Sequence, residues 1–231
     1  MLSLATLLIA NFAIGQTVDE VISKHIDAIG GKEKLSGITS FRITNSVDVM
    51  GNETPSTITV ANGTGYRSEL EFNGTKIIQV YTATGGWVTT PDNPDPKAMS
   101  DAQFKSGQDQ IYIDPFLYIA SRGAKAELTG REKAGDVNAY KIKLSYANGA
   151  SATYYVDPAT YYIVQVLKTG EMMGQQMNIT ISYSDFKKTD GGVVFPNQTT
   201  TSFGEQFSMT AKLKNLELNV AVDAGLLTMK K

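Results

Sequence analysis

The amino-acid sequence predicts an α+β fold that is mostly antiparallel sheet. From residue 40 onward, apolar and polar residues alternate with a period of two, which is typical of strands that bury one face. Asn-Gly and Asp-Gly pairs separate these stretches, and such pairs favour tight turns between antiparallel strands. Helical periodicity is confined to the N-terminal region and to one insertion near the middle of the chain.

The N-terminal residues predict a signal peptide. Leu2 to Ile14 is a nearly unbroken apolar run, and a membrane-spanning helix needs about 20 such residues. Ala13 and Gly15 have the spacing of a cleavage site, so Gln16 is the expected mature N-terminus. We therefore expect residues 1–15 to direct export and residues 16–231 to form one domain in the periplasm or outside the cell. A buried N-terminal helix is the alternative.

Residues 17–35 predict the first helix of the mature chain. Its apolar positions recur at helical spacing, and Gly30-Gly31 provides a stop. His25 is the single histidine of a chain that has no cysteine. A histidine-based triad or a zinc site would need further partners, so we interpret His25 as an ordinary helix-face residue.

Four strands are predicted between residues 40 and 82, and the last of them is apolar on both faces. The segment from Pro91 to Pro96 is predicted to be neither strand nor helix, because proline lacks a backbone N–H. Met99 to Ala120 is predicted to form two short helices, divided near Asp114-Pro115.

Strands resume near Ala126 and continue to Val220, which gives about 11 strands in total. In the last strand the apolar phase shifts by one residue between Leu213 and Leu216. A β-bulge near Asn215 would keep both leucines on the core face. A meander of this length must curl into a barrel, a half-barrel or a sandwich.

Composition disfavours several functions. The formal net charge is −2, and without a basic excess nucleic-acid binding is not expected. Glu69 and Glu71 alternate with apolar residues and are interpreted as a solvated strand face rather than as paired catalytic carboxylates. Asp92 and its acidic neighbours do not match a calcium-loop pattern. We predict no metal, no cofactor and no enzymatic activity.

The C-terminal half contains a series of motifs in a characteristic order: Ala152 to Thr160 (ATYYVDPAT), Tyr183 to Lys187 (YSDFK), Asp190 to Pro196 (DGGVVFP) and Leu216 to Val220 (LELNV). This series resembles the outer-membrane lipoprotein-sorting superfamily of LolA-like and LolB-like carriers. The resemblance covers residues 125–220 and lies mainly in structural turns.

The resemblance implies a curved, open half-barrel with short helices across its concave, apolar face. It also implies a cavity that shields acyl chains, with Met99 to Ala120 as the cover. The N-terminal cysteine that anchors LolB-type carriers is absent, and Arg122 lies in a different context from the lid arginine of LolA-type carriers. The expected function is therefore a soluble envelope binder or carrier of lipid or acylated protein, with transient membrane or membrane-protein contact.

The residues predicted to contact such a ligand are large and apolar: Trp87, Phe116, Leu117, Met172 and Met173. The two methionines lie between Gly170 and Gly174, and methionine suits surfaces that adapt to varied apolar ligands. Two alternatives remain open at this point. One is an envelope protein-interaction module that binds a partner strand at the sheet edge without lipid, and the other is a hydrolase that uses two carboxylates.

Overall fold

A computed structural model describes residues 16–49, 51–72, 74–172, 175–205 and 207–229. The predicted signal peptide and the predicted contact Met173 lie outside the described residues. Within them, no helix has both the length and the apolar composition that a membrane crossing requires.

In the described part of the chain, thirteen strands form one antiparallel sheet whose two edge strands do not pair with each other. In chain order the strands are β1 Ser40–Val49, β2 Asn52–Ala61, β3 Gly65–Phe72, β4 Thr75–Thr82, β5 Gly86–Thr90, β6 Asn93–Ala98, β7 Lys125–Ala134, β8 Val137–Ser145, β9 Ser151–Val156, β10 Ile163–Met172, β11 Gln175–Lys188, β12 Val194–Phe203 and β13 Phe207–Leu218. From one edge to the other, the sheet runs β6 to β1 and then β13 to β7. The pairing of β1 with β13 thus joins the N-terminal and C-terminal halves.

The prediction that Pro91 to Pro96 forms no strand was wrong, and this accounts for part of the difference between 11 and 13 strands. Pro94 and Pro96 lie in β6, which pairs with β5 on one side only. The outer side of β6 has no neighbouring strand. A proline there removes a backbone N–H, but no carbonyl oxygen of another strand loses a hydrogen bond. Proline is tolerated here for that reason.

The predicted bulge near Asn215 is confirmed. Thr44 pairs with Asn215, whereas the next residue, Asn45, pairs with Leu213. Lys214 is therefore the extra residue on β13. The bulge keeps Leu213 and Leu216 on the same face of the sheet despite the odd spacing between them.

The predicted N-terminal helix is confirmed as α1 Val18–Ala28, followed by the short α2 Lys32–Ser36. Thr17 and Glu20 form a reciprocal capping box at the start of α1. Gly30 and Gly31 adopt positive φ angles of 137° and 87°, which end the helix at the predicted position.

The segment that covers the concave face, residues 99–123, begins with α3 Asp101–Gly107 and a 3-10 turn Gln108–Ile111. The prediction of a second helix after Asp114-Pro115 was wrong, because the chain there forms consecutive turns. Asp114 Oδ1 accepts the N–H groups of Phe116 and Leu117, both at 2.9 Å. We call residues 99–123 the covering segment.

The sheet curls around the covering segment. Gly107 packs so closely against the Tyr81 ring of β4 that a Cβ there would overlap it, while Tyr154 of β9 donates to Asp109 Oδ2 at 3.1 Å. β4 and β9 are eight strand positions apart, which is about 38 Å in a flat sheet. Contact of both strands with residues 107–109 therefore requires strong curvature.

The main core lies between the concave face and the helices that cross it. Three groups of elements contribute buried side chains: Val21 and Leu35 from the helices, Ile111 and Phe116 from the covering segment, and Val60, Ile142, Leu144, Val156 and Val166 from the strands.

Deleting Lys214 tests the bulge. Without this residue, either Leu213 or the Leu216–Leu218 pair must face the solvent, so we expect the free energy of unfolding to fall by about 2–3 kcal/mol. Urea denaturation measures the loss. The control, Lys214→Ala, keeps the bulge at this exposed position and should change stability by less than about 0.5 kcal/mol. Equal stability of the deletion and the control would contradict the assignment.

Candidate functional site

The candidate site is the interface between the concave face and the covering segment. Ile111 and Phe116 are 1% and 4% exposed. The Phe116 ring packs edge-on against His25 and Tyr154, at centroid distances of 5.3 and 5.2 Å. The covering segment therefore occupies the apolar hollow that the sequence assigns to a ligand, because its own side chains fill it.

His25 connects α1 to the covering segment. Its Nε2 lies 2.9 Å from Asp114 Oδ2, and its Nδ1 lies 2.7 Å from the Tyr161 carbonyl oxygen. Each ring nitrogen of His25 therefore faces an acceptor oxygen. Interpreting His25 as an ordinary helix-face residue missed these contacts, since sequence spacing does not reveal that α1 packs against Asp114.

The β2–β3 turn binds the middle of the covering segment. Asn62 Oδ1 accepts the Ile113 N–H at 3.1 Å, and Asn62 Nδ2 donates to Tyr118 Oη at 2.8 Å. The Gly63 N–H donates to the Ile111 carbonyl oxygen at 2.7 Å. Polar contacts thus position the two buried apolar side chains of the segment.

Arg122 lies at the C-terminal end of the covering segment and packs against two aromatic rings. Its guanidinium lies between the rings of Tyr112 and Tyr146, 4.4 and 4.7 Å from their centroids. Its Nη1 is buried and has no hydrogen-bond partner among the residues that the structure describes. Stacking between two aromatic rings is the principal contact of this cation.

A cavity of about 600 Å³ lies beside α3, where the covering segment meets the β8–β9 hairpin. We call it the α3 cavity. Its lining includes Asp109, Lys105 and Lys168, and Lys168 Nζ lies 3.6 Å from Asp109 Oδ1. Lys168 is not among the contact residues predicted from the sequence. A signal was present, because the alternation of β10 places this lysine on the same face as Val166.

The predicted contacts fall into separate regions. Phe116 and the half-buried Leu117 lie at the candidate site. Trp87 pairs with Val80, the neighbour of the inward-facing Tyr81, and so lies on the convex face. There its Nε1 donates to the Leu227 carbonyl oxygen at 3.3 Å. The backbone of Met172 ends β10, where it pairs with Gln175.

The carboxylates considered in the sequence lie away from this interface. Glu69 forms ion pairs with Arg67 at 2.8 Å and Lys76 at 3.6 Å on the convex face. Burial alone would raise the pKa of Glu69, but the hydrogen bonds and positive charges of Arg67 and Lys76 together outweigh it and lower the pKa. Glu71 is exposed. Among the described residues, no group of three acidic or imidazole side chains could hold a metal ion.

Comparisons with known proteins identify the fold. No family model matches the sequence, and no curated protein matches it. A LolA superfamily protein from Nitrosomonas europaea superimposes with a TM-score of 0.59 at 11% identity, covering 92% of this chain and 98% of that one. The chain has the LolA-superfamily fold.

Two further structures have this LolA-like fold in common with the chain. An outer membrane lipoprotein-sorting protein domain from Vibrio parahaemolyticus superimposes with a TM-score of 0.56 at 12% identity, covering 89% of this chain and 94% of that one. A DUF1329 family protein from Desulfovibrio piger gives 0.59 at 13% identity, with 92% and 98% covered. The predicted resemblance is therefore confirmed at the level of fold.

Removing the Asp114 carboxylate should loosen the cover of this LolA-like fold. Asp114→Ala leaves His25 without its acceptor and frees two backbone N–H groups, so we expect a loss of about 3 kcal/mol in unfolding free energy. Urea denaturation measures this loss. The control is Asp95→Ala, because the Asp95 side chain is exposed. Equal stability of the two variants would show that the contact contributes nothing.

Buried tyrosines should destabilise the fold at alkaline pH. Burial raises the pKa of Tyr66, Tyr81, Tyr154 and Tyr183 above the ordinary 10.0, and that of Tyr146 to about 12. Between pH 10 and about 12, the unfolded chain releases protons that the folded chain retains, so the unfolding free energy should fall. Urea denaturation across this interval tests the sign. An unfolding free energy that does not change over this pH interval would contradict the burial of these hydroxyls.

Proposed function

We propose that this protein binds the acyl chain of a lipid or an acylated protein and shields it within the cell envelope. The observation that supports the proposal is a concave apolar face covered by one short helix, a 3-10 turn and a series of turns. The Vibrio parahaemolyticus structure with the same fold is described as a lipoprotein-sorting domain. We also propose that residues 1–15 direct export, and that loading involves transient contact with a membrane or a membrane protein.

The ligand would replace the covering segment rather than fill an existing void. Exposing Ile111 and Phe116 would cost about 3–6 kcal/mol, whereas burying ten methylenes of an acyl chain contributes about 8 kcal/mol. Long acyl chains can therefore offset the opening of the segment, and short ones cannot. This difference in magnitude favours lipids over small apolar metabolites.

The proposed acyl contacts are Phe116 and Leu117, together with Met172, the last residue of β10, and Met173, which follows it in the sequence. The end of β10 adjoins α3, because Ser100 Oγ donates to Glu171 Oε2 at 3.2 Å. Trp87 is left out of the proposed acyl site, since it lies on the convex face under Leu227.

The alternative function is the pairing of a partner strand with a sheet edge. Both edge strands have features that disfavour such pairing. Pro94 and Pro96 remove donors from β6, and β7 has a register shift between Leu128 and Arg131. Lys125 and Lys133 add exposed charges along β7. Prolines, bulges and lysines are features that protect natural edge strands from pairing. These features favour lipid binding over strand addition.

A cross-link between the covering segment and the β8–β9 hairpin tests the proposal. Asn148 Nδ2 donates to Gln108 Oε1 at 2.9 Å, and the chain has no cysteine. The double variant Gln108→Cys, Asn148→Cys can therefore be joined uniquely by a short bifunctional thiol reagent. We expect cross-linking to weaken palmitate binding, measured by displacement of a fluorescent fatty acid, by about tenfold or more, because each tenfold corresponds to about 1.4 kcal/mol of impeded opening.

Two controls separate closure from modification. A small monofunctional thiol reagent on the same variant should weaken palmitate binding much less than the cross-link does. Cross-linking Lys143→Cys to Thr153→Cys, a directly paired position on the convex face, should do the same. Undiminished binding to the protein with a locked cover, or absence of palmitate binding to the unmodified protein, would overturn the proposal.

A further inference from the structure

Lys168 is the least exposed lysine for which the structure gives an ion pair. Its side chain is 9% exposed, and apart from Lys141 every other lysine in the described part of the chain is exposed. It projects from the concave face, where its direct neighbours across the sheet are Ala152 of β9 and Ile179 of β11. A lysine whose side chain is this little exposed is stabilised by an anionic partner.

The partner within the protein is Asp109, and the pair is loose. Lys168 Nζ lies 3.6 Å from Asp109 Oδ1, which exceeds hydrogen-bond distance. The other carboxylate oxygen, Oδ2, accepts the Tyr154 hydroxyl at 3.1 Å. No acceptor within hydrogen-bond distance of the ammonium occurs in the described ranges, so its three N–H donors are available.

The space in front of this ammonium is the α3 cavity. Lys168 lines it together with Asp109 and Ser106 of the covering segment. The small side chain of Ala152 leaves room beside the lysine, and the cavity is large enough for a carboxylate or phosphate group. It adjoins the interface at which Phe116 packs against Tyr154.

We propose that the α3 cavity receives the anionic head group of an acyl ligand and that Lys168 is its counter-ion. The acyl chain then extends beneath the covering segment, so this inference rests on the proposed function and names the ligand class, an anionic amphiphile. The head group replaces Asp109 beside Lys168. Because Asp109 belongs to the covering segment, this exchange breaks one of the contacts that hold the cover in place.

The test compares palmitate with hexadecanol, an uncharged amphiphile of the same chain length, and with inorganic phosphate. Wild-type protein should bind palmitate about tenfold more tightly than hexadecanol, the ratio expected of one hydrogen-bonded charge. Lys168→Met should abolish this preference without weakening hexadecanol binding, whereas Lys168→Arg should retain it. The control Lys143→Met removes an exposed lysine from the convex face and should leave all affinities unchanged.

Asp109→Asn provides a readout that a purely structural lysine would not change. Without the competing carboxylate, the preference for palmitate over hexadecanol should increase.

Equal binding of both amphiphiles to wild type and to Lys168→Met would overturn the head-group site while leaving the acyl-binding proposal standing. If phosphate binds as tightly as palmitate, the cavity is a site for small anions and the head-group proposal is overturned. Failure of both amphiphiles to bind would overturn both proposals.

Discussion

Packing of Ile111 and Phe116 against the concave face is the interaction on which the architecture depends. A 13-stranded sheet that curls this strongly directs a large apolar surface inward, and that surface must be removed from water. The covering segment supplies the contact from one side, and α1 and α2 supply it from the other. The curvature, the positions of the helices and the location of the candidate site all follow from this requirement.

The contacts that hold the cover differ in kind from those that hold the sheet. Strands are joined by continuous backbone ladders, whereas the covering segment is attached largely through side chains. His25 with Asp114, Asn62 with Tyr118, and the Arg122 sandwich are such attachments. Each can break without disturbing the backbone hydrogen bonds of the sheet. A cover of this type can open locally while the fold persists.

Local patterns predicted most of the fold. Alternation defined the long strands, the glycine pair ended α1, and the phase shift around Asn215 located the bulge. The strand β6 was missed because proline excludes interior strands but not edge strands, and only topology distinguishes the two. The turns after Pro115 were missed because an apolar run in a short segment has no distinct period. The approach of Asp114 to His25, which links residues 89 positions apart, depends on tertiary packing.

The candidate site was predicted only in part, for the same reason. Phe116 and Leu117 were selected as large apolar residues in the cover, and they lie there. Trp87 was selected on the same grounds but lies on the convex face, because its orientation depends on the short strand β5. Lys168 was overlooked, although its phase in β10 places it among inward-facing residues. A charged residue on the apolar phase of a strand is therefore a useful sequence signal for a buried ion pair.

The central claim is that the cover opens as a unit separate from the sheet, and native-state hydrogen exchange tests it most directly. The amides of Phe116 and Leu117 should exchange through a local opening, with lower protection than the ladder amides of Ile142 and Val166. Added palmitate should change the protection of the covering segment and leave that of the central strands unaltered. If all four amides exchange together at the rate of global unfolding, with or without palmitate, the cover is an inseparable part of the core and the account is contradicted.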